Sequence, residues 1–155
     1  MAQIYPQWWD TTVTIYNKYF DPVSDMITWY RHVVTGAFWK YTGDKISIAN
    51  VTLGSYDITC RIRKDPAFME NFEWVNLPAD VKPDYFTLNR NDILVKGEVS
   101  DEINEYADGY RATDIIQKYK NMQGCMVISE ITINVGGGRY TEHYLVRGER
   151  ANTYA

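Results

Sequence analysis

The chain has 155 residues, with 45% hydrophobic and 23% charged side chains, a balance that excludes disordered and fibrous classes and fits one domain with one core. Its formal net charge of −4 excludes a domain held on nucleic acid by a general basic excess, and no apolar run approaches a membrane span. Thirteen tyrosines, five tryptophans and five phenylalanines give 15% aromatics, a content suited to pleated surfaces and to protein interfaces.

In chain order, residues 1–11 read as an N-terminal extension with no signal-peptide pattern, which points to synthesis in a cytoplasm. Thr12 to Tyr16 alternates as a strand with one buried face, and Asp21-Pro22 with Ser24-Asp25 supplies a turn. Ile27 to Val34 is β-branched and aromatic, Gly36 punctuates it, and Ala37-Phe38-Trp39 follows, so the chain begins as a hairpin. From Ser55 to Lys64 the alternation is clean, with Tyr56, Ile58, Cys60 and Ile62 opposite Asp57, Thr59, Arg61 and Arg63.

Between residues 64 and 84 the periodicity fails at Pro66, Pro78 and Pro83, while Phe68, Phe72, Trp74 and Leu77 remain. A loop of this length is commonly functional, and four large apolar side chains need somewhere to be buried. Ile93, Val95 and Val99 then share a face behind the Asn91-Asp92 turn, with Gly97 inside. The acidic stretch Asp101, Glu102, Glu105 and Asp108 ends at Gly109, and Thr113-Asp114 caps a short helix through Tyr119 whose stripe is Ile115, Ile116 and Tyr119. Cys125 to Val135 changes phase, Met126 and Ile128 on one alternation and Ile131, Ile133 and Val135 on the other, which a bulge near Ser129-Glu130 reconciles. Gly136-Gly137-Gly138 turns the chain into a last strand, His143 to Arg147, and the tail after Gly148 frays. The fold class is therefore mainly β with some α: one domain over residues 1–155, a small antiparallel β-barrel or sandwich over 12–149, one short helix, a long projecting loop at 64–84 and a tail at 150–155.

Residues suited to catalysis are sparse. Cys125 and His143 are the one conceivable nucleophilic pair, but Cys125 lies in an apolar run, and both it and Cys60 read as buried reduced thiols. His32 sits in a strand. The triple glycine lacks the lysine and hydroxyl of a phosphate loop, and the acidic stretch lacks calcium-loop spacing. No enzyme, cofactor or metal is expected. Arg61, Arg63 and Lys64 form the densest basic cluster, suited to DNA phosphates or to an acidic neighbour surface such as Asp101, Glu102 and Glu105 of the next copy in a ring.

Several segments read together resemble the small minor capsid proteins of tailed phages of Gram-positive bacteria. They are Val13-Thr14-Ile15-Tyr16-Asn17-Lys18, Ile27-Thr28-Trp29-Tyr30-Arg31, Gly36-Ala37-Phe38-Trp39, Phe86-Thr87-Leu88 with Asn91-Asp92-Ile93-Leu94-Val95-Lys96-Gly97-Glu98-Val99, and Glu142-His143-Tyr144-Leu145-Val146-Arg147-Gly148. The resemblance covers residues 12 to 149; Trp8-Trp9 lies outside it, and Tyr144 stands where tryptophan is commoner. It implies a β-barrel-like head-closure or stopper protein of the virion neck, a homo-oligomeric ring of about six or twelve copies. Such a ring sits between the portal and adaptor above and the tail terminator and tail tube below, retains packaged DNA with non-specific contact, and touches no membrane. The 64–84 loop, with Phe68, Phe72, Trp74 and Leu77, would then face the channel. A tail terminator or another neck ring, and a non-viral β-barrel that binds carbohydrate or peptide, are the competing readings.

Overall fold

The computed structural model describes residues 5–41, 58–120, 124–136 and 142–149, and residues 46–48, 51–53 and 150 by their backbone alone. Six strands close into an antiparallel barrel in the order β1-β2-β5-β8-β7-β6. They are β1 (Thr11–Asp21), β2 (Met26–Tyr41), β5 (Ile58–Arg63), β6 (Ile93–Lys96), β7 (Cys125–Asn134) and β8 (His143–Arg150). Between β2 and β5, β3 (Ile46–Ile48) and β4 (Val51–Leu53) pair with each other in a separate two-stranded sheet. Closure matters physically, because a barrel leaves no continuous edge for uncontrolled strand pairing.

Two cores form, one on each side of the barrel wall. Val13, Ile15, Val34, Trp39, Ile58, Cys60, Ile62, Leu94, Met126, Ile128 and Val146 fill the interior. Tyr16, Trp29, Ile93, Val95, Val99, Ile103, Cys125 and the apolar stripe of the later helix, Ile115, Ile116 and Tyr119, form a second cluster. Strand alternation sends Leu94 inward and its neighbours Ile93 and Val95 outward, so β6 is buried on both faces. The same holds for β1, where Val13 to Asn17 are all buried. This corrects the expectation of one buried face there: the outer face is covered by the segment after β6 and by α2 (Ala112–Tyr119).

The turn after β1 forms as its residues dictate. Asp21 accepts hydrogen bonds from the Val23 N–H (2.9 Å) and the Ser24 hydroxyl (3.0 Å), and Asp25 takes a φ of 58°. β2 does not stop at Gly36. It runs on through a bulge in which Thr35 and Gly36 lie opposite Thr12, and Gly36 has a φ of 69°. The bulge expected in β7 is present, since Ile128 pairs with Gly148 and Glu130 with Arg147, leaving Ser129 extra. β8 extends to Arg150, so the strand passes Gly148 instead of fraying there. Helix α2 begins two residues earlier than expected: Arg111 is the N-cap residue, and Asp114 accepts from its N–H at 3.1 Å. Ser55, Tyr56 and Asp57, the Gly137-Gly138 turn and the tail beyond residue 150 lie outside the described residues.

The long connection from β5 to β6 exists as expected, but Phe68 and Trp74 fold back onto the barrel. It contains α1 (Asn71–Trp74) and a 3-10 turn, Lys82–Asp84. Phe68 and Phe86 form a parallel bridge, and Phe68 stacks on Tyr144 with ring centroids 4.1 Å apart. Trp74 is fully buried. The β1–β2 ribbon is thus sandwiched, with this connection against Tyr19, Tyr30 and His32 and the α2 layer against Tyr16 and Trp29.

Candidate functional site

The basic cluster read from sequence is put to internal use. Arg63 donates from Nε to the Gly36 carbonyl (2.7 Å) and from Nη2 to the Trp9 carbonyl (2.8 Å), and its guanidinium lies over the Tyr5 ring. Lys64 pairs with Glu142 at 3.6 Å, and its N–H meets the Tyr5 hydroxyl. Arg61 rests over Phe38. These contacts tie Tyr5 and buried Trp9, ahead of β1, to the barrel.

The acidic stretch is likewise an internal fastener. Asp101 accepts from the Tyr119 hydroxyl (2.6 Å) and from Lys118 (2.9 Å), bonds that hold its carboxyl below the usual carboxylate range. Its carbonyl accepts from the buried Tyr16 hydroxyl at 2.6 Å, and burial pushes that phenol up. Glu105 accepts from the Ala112 N–H (2.8 Å) at the start of α2, where a carboxylate suits the positive end of the helix. Glu102 pairs with Arg31 at 3.2 Å, largely in solvent, so that pair contributes little stability. Of the residues expected to pair across copies, Arg63, Asp101 and Glu105 have partners within the chain.

Of the four loop side chains, only Phe72 is largely exposed, at 65%. Trp74 instead forms a wall of an enclosure around Lys82. The Lys82 ammonium donates to the Val75 carbonyl (3.2 Å) and the Leu77 carbonyl, and lies 4.3 Å from the Tyr19 centroid, 5.5 Å from Trp74 and 6.0 Å from Tyr30. Desolvation lowers its pKa. A lysine between two prolines reads as surface in sequence, and here it is 3% exposed.

Asp92 is the second residue that sequence reasoning missed. Its carboxylate accepts from Asn17 Nδ2 (2.8 Å), the Lys18 N–H (3.0 Å) and the Asn89 N–H (3.1 Å), while burial pushes its pKa up to about 7. It forms the floor of a cleft of about 480 Å³ between β1, α1 and the Asn89–Asn91 turn. Phe20 and Val75 form apolar parts of the cleft wall, and Asn71, Asn76, Asn89, Asn91 and Arg90 its polar parts.

Cys125 and His143 do not meet. Cys125 begins β7 beside Val95, whereas His143 pairs with Asn134 at the far end, roughly 30 Å away along the strand. Both thiols are buried and free, and desolvation pushes that of Cys125 up to about 12 and raises that of Cys60 further. The His32 Nδ1 lies 2.9 Å from the Pro83 carbonyl, and its ring packs on Phe86. Among the described residues no group of three or more His, Cys, Asp or Glu side chains is placed to hold a metal, and no helix is long and apolar enough to cross a membrane.

Residues 8–149 match DUF6751, a family of unknown function, and the chain belongs to that family. Neither the curated proteins nor the solved structures contain a match.

Proposed function

We propose that this DUF6751 protein is a structural component of a tailed-phage neck, a head-closure ring that joins the portal and adaptor to the tail and retains packaged DNA. The observation that carries the reading is the β1–β2 arm. β6 pairs with β1 only at Thr14, Ile15 and Tyr16, so the arm continues past it, and Phe20, Val23 and Met26 stand 53%, 92% and 47% exposed along its end. A small closed barrel that keeps its shape and carries apolar side chains on an arm suits a part whose work is to touch neighbours. The phage-like segments from residue 12 to 149 add support, since they include both strands of the arm and the Phe86 to Val99 stretch beneath it. Phe72, exposed on the 64–84 connection, supports a contact with the channel or with an adjacent copy in such a ring.

A null mutation in a phage that carries the gene tests this reading. Electron microscopy should show heads that have lost DNA or stand without tails. Intact, infectious, tailed particles would contradict it.

A further inference from the structure

The cleft beside β1 has a feature that its lining alone does not explain: one of its walls is an open strand edge. Within a strand, the N–H and C=O of one residue point to the same side, and those of the next residue to the other. The Lys18 N–H points away from β2 to reach Asp92 Oδ1. The Lys18 carbonyl and both backbone groups of Phe20 therefore point the same way, into the cleft. Among the described residues none of these three groups has a partner, because the β1–β6 ladder ends at Tyr16 and Ile93.

Around this edge stand groups that complement an added strand. Asn71 and Asn91 present amides, which pair with peptide groups as donor and acceptor at once, while Asn76 keeps its oxygen and Asn89 its Nδ2 after bonding to the Phe72 carbonyl and the Arg90 N–H. Arg90 is exposed and makes no ion pair among the described residues. The Lys18 ammonium lies 5.8 Å from the Trp29 centroid and shares its charge with the Asp92 carboxylate. Phe20, half exposed, offers an apolar surface for alternate side chains of an incoming strand. An exposed arginine with no ion pair among the described residues, beside an open edge, favours a partner that brings both backbone groups and a carboxylate.

We propose that this cleft is a strand-addition site that takes an extended acidic segment of a partner protein. The incoming backbone bonds to the Lys18 carbonyl and to the Phe20 N–H and carbonyl, and one of its carboxylates pairs with Arg90. Nucleic acid fits less well, because phosphates would use the cations and leave the strand edge open. The inference does not depend on the phage reading, since it needs only the purified protein.

Fluorescence anisotropy with a short labelled peptide alternating valine and glutamate tests it. The peptide should bind, and the exposed-site variant Arg90→Glu should weaken binding by about tenfold or more, the loss of one good charge pair. The same peptide with lysine for glutamate should bind Arg90→Glu better than it binds the parent protein. Methylation of the peptide's alternate backbone nitrogens should abolish binding without changing its charge. Circular dichroism of Arg90→Glu should match the parent, so that loss reflects the site and not the fold. Absence of binding by the acidic peptide, equal binding of the methylated peptide, or a clear preference for single-stranded DNA of equal charge would each overturn the proposal.

Discussion

Trp74→Ala is expected to destabilise the protein by about 3–5 kcal/mol, the range for removing a fully buried large aromatic. The indole is completely enclosed, with its centroid 5.6 Å from Tyr30 and 6.2 Å from Tyr19, both at steep angles that suit edge-to-face contact. Its loss also strips one wall from the Lys82 ammonium, which two carbonyls, three rings and the field of the Asp21 carboxylate hold in place. Urea denaturation should show a lower midpoint with a nearly unchanged slope. A loop that projected freely would behave otherwise, because exposed substitutions change stability by roughly half a kcal/mol or less. Deletion of Met69 to Ala79, harmless to folding if the segment only projects, is expected for the same reason to unfold the protein. It would remove Trp74 together with Val75 and Leu77, the acceptors of Lys82.

Gly148→Val is expected to cost about 1–3 kcal/mol or more through overpacking. A Cβ at this position would run into the Val127 carbonyl oxygen and lie 2.8 Å from Met126 Sδ. The backbone atom cannot yield cheaply, since Ile128 pairs with Gly148 at the register shift that accommodates Ser129. Glycine is needed here for close approach of two backbones beside a bulge, a role distinct from turn formation. Thermal unfolding should show the drop, and amide exchange should localise the first loosening to Val127–Glu130 and Arg147–Arg150. If the chain frayed after Gly148, neither readout would move.

Elements whose side chains alternate locally were legible in the sequence. The phase change between Ile128 and Ile131 located the β7 bulge within a residue, and Ile58, Cys60 and Ile62 marked the inward face of β5. The stripe of Ile115, Ile116 and Tyr119 identified the buried side of α2. What escaped was set by contacts between distant segments. The region from Lys64 to Asp84 has no period, so nothing local says that Trp74 packs on Tyr19 and Tyr30 or that Lys82 enters the same space. Asp92 belongs to a turn-like Asn-Asp pair, and only the folded β1 brings Asn17 and Lys18 to its carboxylate. The acidic stretch misled for a related reason: its charges look solvated in sequence, while Asp101 and Glu105 hold the outer layer to the barrel. The cleft was invisible because its open edge exists only where β1 outruns β6.

Native mass spectrometry of the purified protein, alone and mixed with portal and adaptor assemblies of tailed phages, tests the proposed neck role most directly. The account predicts a closed ring of identical copies that docks on such an assembly in a fixed ratio. A protein that stays monomeric under both conditions and leaves the portal assemblies unchanged would contradict it.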